Sequence, residues 1–144
     1  RGVDEVDRGQ FDEETETVFV SGCAMFVRRE VFDKIGLFDN RYYLYLEDAD
    51  FCQRVKQAGF KLVYAPQARV YHFNAGSSEV GGALHDYYLT RNRLLFGLKY
   101  ASWRARLALV RESGKLLLTG RRWQKIGVRD YFLRRLGKGS YEQN

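Results

Sequence analysis

The sequence predicts an α/β fold: short strands plus helices over residues 1–100, followed by basic C-terminal helices over residues 101–144. Three observations carry that reading. Runs of apolar, β-favouring residues at Val18–Val27, Phe60–Tyr64 and Arg69–Phe73 have the length of strands. Between them, Glu47–Ala58 has helical spacing and opens on Glu47, Asp48 and Asp50, acids that suit the positive end of a helix. Beyond residue 82 the apolar spacing is helical as far as Leu136, and the charge changes sign. Residues 1–90 hold 10 Lys+Arg against 15 Asp+Glu, whereas residues 91–144 hold 14 against 3.

In chain order, Arg1–Thr17 is acidic and without period, and no Met opens it, so it is expected to continue from a longer chain. Gly22 divides the apolar run Val18–Val27, where two short strands can meet; equally, a glycine there lets a ligand approach the backbone closely. Cys23 and Cys52 are too few for a disulfide framework or a structural zinc site and read as buried small hydrophobes. Glu30–Ile35 is a short helix with Val31, Phe32 and Ile35 on one face, stopped by Gly36. The helix Glu47–Ala58 turns Phe51 and Val55 to one side and stops at Gly59. Phe60–Tyr64 alternates as a strand ended by Pro66, and Arg69–Phe73 is a second strand that delivers His72 to its end. Residues 74–82 form a polar, glycine-rich loop of the kind used for lids.

Three helices follow, 83–100, 102–118 and 122–136. The last two interleave Leu107, Val110, Leu117, Trp123 and Ile126 with many arginines and lysines, and both read as basic amphipathic helices. From Gly137 the tail is polar and expected to be disordered. A hydrophobic fraction of 45% supports a real core. No run reaches the roughly 18 apolar residues of a membrane span, and the N-terminus lacks the order of a signal peptide. A cytoplasmic location is therefore expected, with a peripheral place at the inner face of the membrane.

The chemistry concentrates in Arg41–Arg54, where three carboxylates within four positions follow Tyr42, Tyr43 and Tyr45. Acids at a helix start are often only a solvated face. Crowded among aromatics, however, such acids repel one another and lose water, which raises a carboxylate's pKa and suits it to act as a base.

Six stretches in register carry a family resemblance: Gly22-Cys23-Ala24-Met25-Phe26-Val27-Arg28-Arg29, Gly36-Leu37-Phe38-Asp39, Tyr45-Leu46-Glu47-Asp48-Ala49-Asp50-Phe51-Cys52-Gln53-Arg54, Ala58-Gly59-Phe60, Tyr64-Ala65-Pro66 with His72, and Tyr88-Leu89-Thr90-Arg91-Asn92. Together they resemble the second half of a family 2 glycosyltransferase, closest to the rhamnosyltransferase-like group. The resemblance implies the acceptor-side half of a GT-A, Rossmann-like domain over residues 1–100. It implies inverting transfer of a sugar from a nucleotide-diphospho-sugar donor to a hydroxyl of a glycan or lipid-linked acceptor, with a divalent metal, Mn²⁺ or Mg²⁺. By position, Asp48 would be the base, while Glu47 and Asp50 orient the acceptor or hold the helix start. Gly22, Cys23, Arg91 and Ser77 would meet substrate, Arg91 near the diphosphate and Ser77 with Ser78 in the closing loop, and His72 would ligate the metal.

One departure qualifies the match. The family's nucleotide half, with its own D-x-D motif, is not in these residues; Asp48-Ala49-Asp50 spells D-x-D but opens a helix after Glu47. The chain alone is accordingly expected to be inactive, and a half-domain with an exposed seam to self-associate. A reading from another class is a non-enzymatic basic module whose C-terminal helices, through Arg121, Arg122, Lys125 and Arg129 among others, bind an anionic membrane. Nucleic acid is not expected as a partner, because the acidic first half would repel phosphate.

Overall fold

A computed structural model describes residues 5–71 and 81–141. Its elements are β1 (Thr15–Thr17), α1 (Arg29–Ile35), α2 (Glu47–Gln57), β2 (Leu62–Tyr64), α3 (Ala83–Tyr100), α4 (Trp103–Thr119) and α5 (Arg122–Phe132). The fold is mixed α/β. β1 and β2 form an antiparallel ladder that pairs Thr15 with Tyr64, Glu16 with Val63 and Thr17 with Leu62.

The first strand lies earlier than the apolar run at 18–27 predicts. Thr15-Glu16-Thr17 supplies the β-branched residues, while Gly22–Ala24 forms a single 3₁₀ turn in which the Ser21 side chain accepts the Cys23 N–H. Asp48 accepts the Gly22 N–H at 2.9 Å. With its amide taken by a side chain, the segment has no donor there for a ladder. Residues 69–71 carry no regular structure, so the second predicted strand does not form within the described residues.

Helix ends follow their local chemistry. Past α2, Phe60 N–H bonds Val55 O and Gly59 N–H bonds Lys56 O, the two reciprocal bonds that close a helix on a left-handed residue; that residue is Gly59, at φ 85°. The same pair of bonds closes α5, from Arg135 to Asp130 and from Arg134 to Tyr131, with Arg134 at φ 57° in the glycine position. α5 therefore stops at Phe132, short of the predicted Leu136, and nothing in the sequence marks that stop. Nor is the tail disordered through residue 141. Gly137 N–H bonds Arg41 O, Ser140 N–H bonds Asp130, and the Tyr141 ring lies against Tyr87 and Trp123.

The core has two parts. Val31, Phe51, Cys52, Val55 and Leu62 pack α1, α2 and β2 together. Tyr87, Tyr88 and Val128 are buried on α3 and α5, and Leu94 is buried where α3 faces α4. Cys52 is buried as expected, whereas Cys23 is exposed, because the 3₁₀ turn lies on the surface.

α3 and α5 cross at Gly127, where an added Cβ would stand 2.7 Å from the Tyr87 carbonyl oxygen and 3.4 Å from the Arg91 amide nitrogen. Both neighbours are backbone and cannot turn aside. Gly127→Ala is expected to lower unfolding free energy by about 1–3 kcal/mol, the usual cost of overpacking, as read by urea denaturation. Gly97→Ala should cost less, because the atom in the way is the flexible end of Leu109; equal costs for the two would refute the crossing as the cause.

Candidate active site at the start of helix α2

Tyr43, Tyr45 and Leu46 all have positive φ, 63°, 67° and 68°. Left-handed backbone costs a non-glycine residue about 1–2 kcal/mol, so three in four positions need external support. α3 supplies it. Asn92 Nδ2 donates within a cradle of three carbonyls, Tyr42 O at 2.9 Å, Leu44 O at 2.7 Å and Tyr45 O at 2.9 Å. Arg91 Nη2 donates to Tyr42 O at 2.9 Å and Arg41 O at 3.2 Å, and its Nη1 to Gly137 O at 2.7 Å. Arg91 Nε bonds Asn92 Oδ1, and the guanidinium lies over the rings of Tyr87 and Tyr88.

Arg91 has no accessible surface. The resemblance puts Arg91 near the diphosphate, whereas here its guanidinium is engaged by main-chain carbonyls of distant loops. Together, Arg91 and Asn92 hold the strained turn that aims the first turn of α2.

Each acid on that turn has a distinct environment. Asp48 is partly exposed; its Oδ2 accepts the Gly22 N–H and its Oδ1 the Ala49 N–H at 2.7 Å. An added Cβ on Gly22 would meet Asp48 only at ordinary contact distance. The exposed 21–24 turn thus lies beside Asp48 and brings Gly22 and Cys23 to the same surface. Glu47 is half-buried, and its Oε2 has no hydrogen-bond partner among the described residues. Burial, with the adjacent Asp48 charge adding to it, pushes its carboxyl above the usual range.

Asp50 belongs to a different structure. Wholly buried, it accepts from Lys99 Nζ at 2.6 Å, Tyr100 Oη at 2.8 Å, Arg54 Nε at 2.8 Å and Tyr42 Oη at 3.2 Å. Burial opposes its ionisation, but the bonds from Lys99, Arg54 and Tyr100 outweigh burial and hold the carboxyl below the usual range. Asp50 is the polar tie between α2 and α3, with no surface on which to orient an acceptor.

His72, Ser77 and Ser78 lie outside the described residues. Among the described residues, no three His, Cys, Asp or Glu converge as ligands for a metal ion. A residue that sequence reading passed over is His85, which meets the Tyr45 ring edge-on at 5.7 Å and whose Nδ1 lies 3.5 Å from the Gly81 amide. Its only sequence signal was a place in the first turn of a helix.

The profile of the "Glycosyltransferase like family 2" matches residues 2–97. An N-acetylglucosaminyl-diphospho-decaprenol L-rhamnosyltransferase of Mycobacterium tuberculosis is 42% identical over 67 residues, 46% of this chain and 22% of that protein. The rhamnosyltransferase WbbL of Escherichia coli is 29% identical over 113 residues, 78% of this chain and 37% of that protein. Human polypeptide N-acetylgalactosaminyltransferase 9 is 34% identical over 92 residues, 63% of this chain and 15% of that protein. The matched part is thus well under half of each relative's length. No solved structure matches the chain significantly.

Proposed function

The chain belongs to the glycosyltransferase-like family 2, and from that membership we propose that the start of α2 is the base-bearing, acceptor side of an inverting sugar transfer. The donor is a nucleotide-diphospho-sugar and the acceptor a hydroxyl of a glycan or lipid-linked sugar. The names of both bacterial relatives favour a rhamnosyl donor, and that of the mycobacterial one a polyprenyl-diphosphate-linked acceptor. One observation carries the reading. Asp48 stands partly exposed on a helix start that Arg91 and Asn92 lock from behind, beside the exposed Gly22 turn and the desolvated Glu47.

In the proposed step the acceptor oxygen attacks the anomeric carbon from the face opposite the diphosphate. Its proton passes to an Asp48 oxygen, and the electron pair of the breaking C–O bond leaves with the diphosphate. Asp48 is aimed by the Gly22 N–H. Glu47, whose carboxyl is held above the usual range by burial, lies next to Asp48 on the same turn and orients the acceptor. A divalent metal, when bound, would absorb charge on the leaving diphosphate, but the described residues supply no ligand set for it.

The test is a transfer assay on the full-length protein, with a panel of nucleotide-diphospho-sugars and a polyprenyl-diphosphate sugar acceptor, and the product's anomeric configuration read by NMR. Transfer with inversion is expected. Retention of configuration, or no transfer from any donor with Mn²⁺ or Mg²⁺ present, would overturn the proposal.

A further inference from the structure

Both C-terminal helices have a basic amphipathic pattern, but the fold treats them differently. α5 is the packed one: Gly127, Val128 and Asp130 are buried, Arg121 pairs with Asp86, and Arg129 pairs with Asp130. α4 has the free face. Its contact with α3 uses Leu109, Glu112, Ser113 and Leu116, which line the small cleft between the two helices. On the other side Trp103, Leu107 and Leu118 are 69%, 53% and 80% exposed, and Val110 and Leu117 are exposed with them. At about 100° per residue, these five and Gly114 fall within an arc of roughly 100°. Arg104, Arg111 and Lys115 line one border of that arc, all three exposed and in no ion pair among the described residues. The acid of α4, Glu112, is held away from the arc by both guanidinium nitrogens of Arg93, at 3.2 Å each.

We propose that this ridge of α4 docks on an anionic lipid surface, with the helix lying in the plane of the membrane. Charge complementarity selects the occupant. The ridge offers apolar bulk, an indole and a basic border, which match acyl chains, the interface and anionic headgroups in turn. A second copy would bring the same cations to the seam with no free acid on α4 to meet them. None of the described helices is long and apolar enough to cross a membrane, and 17 residues of helix give about 25 Å of contact along the surface. The inference rests on the surface of α4 alone and does not depend on the sugar-transfer reading.

Co-sedimentation with vesicles tests it, using phosphatidylglycerol and phosphatidylcholine in equal parts against phosphatidylcholine alone. The protein should bind the anionic vesicles in about 0.1 M salt and be released in about 1 M, where the screening length falls from about 10 Å to about 3 Å. Arg104→Gln, Arg111→Gln and Lys115→Gln together should lower partitioning on the order of a hundredfold. Leu107→Ser with Leu118→Ser should also lower it, and because both side chains are exposed the fold should persist, as checked by circular dichroism. A control that removes the same charge elsewhere, Arg8→Gln, Lys56→Gln and Arg69→Gln, should leave binding nearly intact. Equal loss in the control, or binding indifferent to salt and lipid charge, overturns the proposal. So does a Leu107/Leu118 variant that keeps vesicle binding but loses a dimer in sedimentation velocity, which would assign the ridge to a second copy.

Discussion

Asp48→Asn in the full-length protein is expected to lower kcat by about 10²–10⁴-fold, the usual contribution of a positioned base, and to leave donor affinity nearly unchanged. Asparagine keeps one oxygen for the Gly22 N–H and gives up the acceptor for the adjacent Ala49 N–H, so the turn that Arg91 and Asn92 hold should survive with the start of α2. What it loses is the capacity to take a proton, which matters only as the acceptor oxygen attacks. The loss therefore falls on kcat and not on donor binding. Glu47→Gln separates the neighbouring acid: Glu47 orients the acceptor through hydrogen bonds, which the amide replaces in part, so the loss is smaller. Near-normal turnover by Asp48→Asn, or a larger defect in Glu47→Gln, would move the base to Glu47.

Asp50→Asn is expected to destabilise the fold by about 3 kcal/mol while leaving kcat per folded molecule close to that of the parent. The substitution removes the one buried charge that Lys99, Arg54, Tyr100 and Tyr42 all face. Breaking a buried pair from one side commonly costs about 3–5 kcal/mol; the lower end applies because the Lys99 and Arg54 side chains remain 33% and 20% exposed. Adding Lys99→Met, which removes an uncompensated cation, should recover part of the loss. The pH dependence has a definite sign. The Asp50 carboxyl is held below its ordinary value in the fold, so its stabilisation is full above the unfolded value of about 3.9 and disappears as pH falls through the lower folded value. In the variant the acid-side slope of stability should be shallower. Denaturant midpoints measured between pH 7 and pH 3 decide the matter: a cost below 1 kcal/mol, or an unchanged acid slope, would mean that Asp50 does not tie α2 to α3.

Much of this site was legible along the chain because its signals are local. Three acids after an aromatic run mark the start of α2, Gly59 marks its end, and α3 runs over residues 83–100 as its spacing predicts. Each depends on neighbours within one or two helical turns, where residue type alone sets dihedral preference and period. The family motifs are local in the same sense, being short runs whose order the sequence displays.

Tertiary structure decided the rest, since it depends on which distant groups meet. The family resemblance put Arg91 near the diphosphate, and no sequence feature shows its partners; its acceptors are carbonyls about 45–50 positions away, brought together only when α3 packs on the 41–46 turn and the 135–137 loop. Glu47, Asp48 and Asp50 share one helical turn, yet the side of α2 that meets Lys99 and Tyr100 makes Asp50 a buried tie and leaves Asp48 to the surface. The strand at Thr15–Thr17 prevailed over the more apolar 18–27 because a ladder needs a partner with free donors, and Asp48 holds the Gly22 amide. α4 and α5 carry the same basic amphipathic pattern, and periodicity cannot say which apolar face will be covered. α3 covers that of α5, since Gly127 lets the two backbones approach to contact, and so the ridge of α4 is left open.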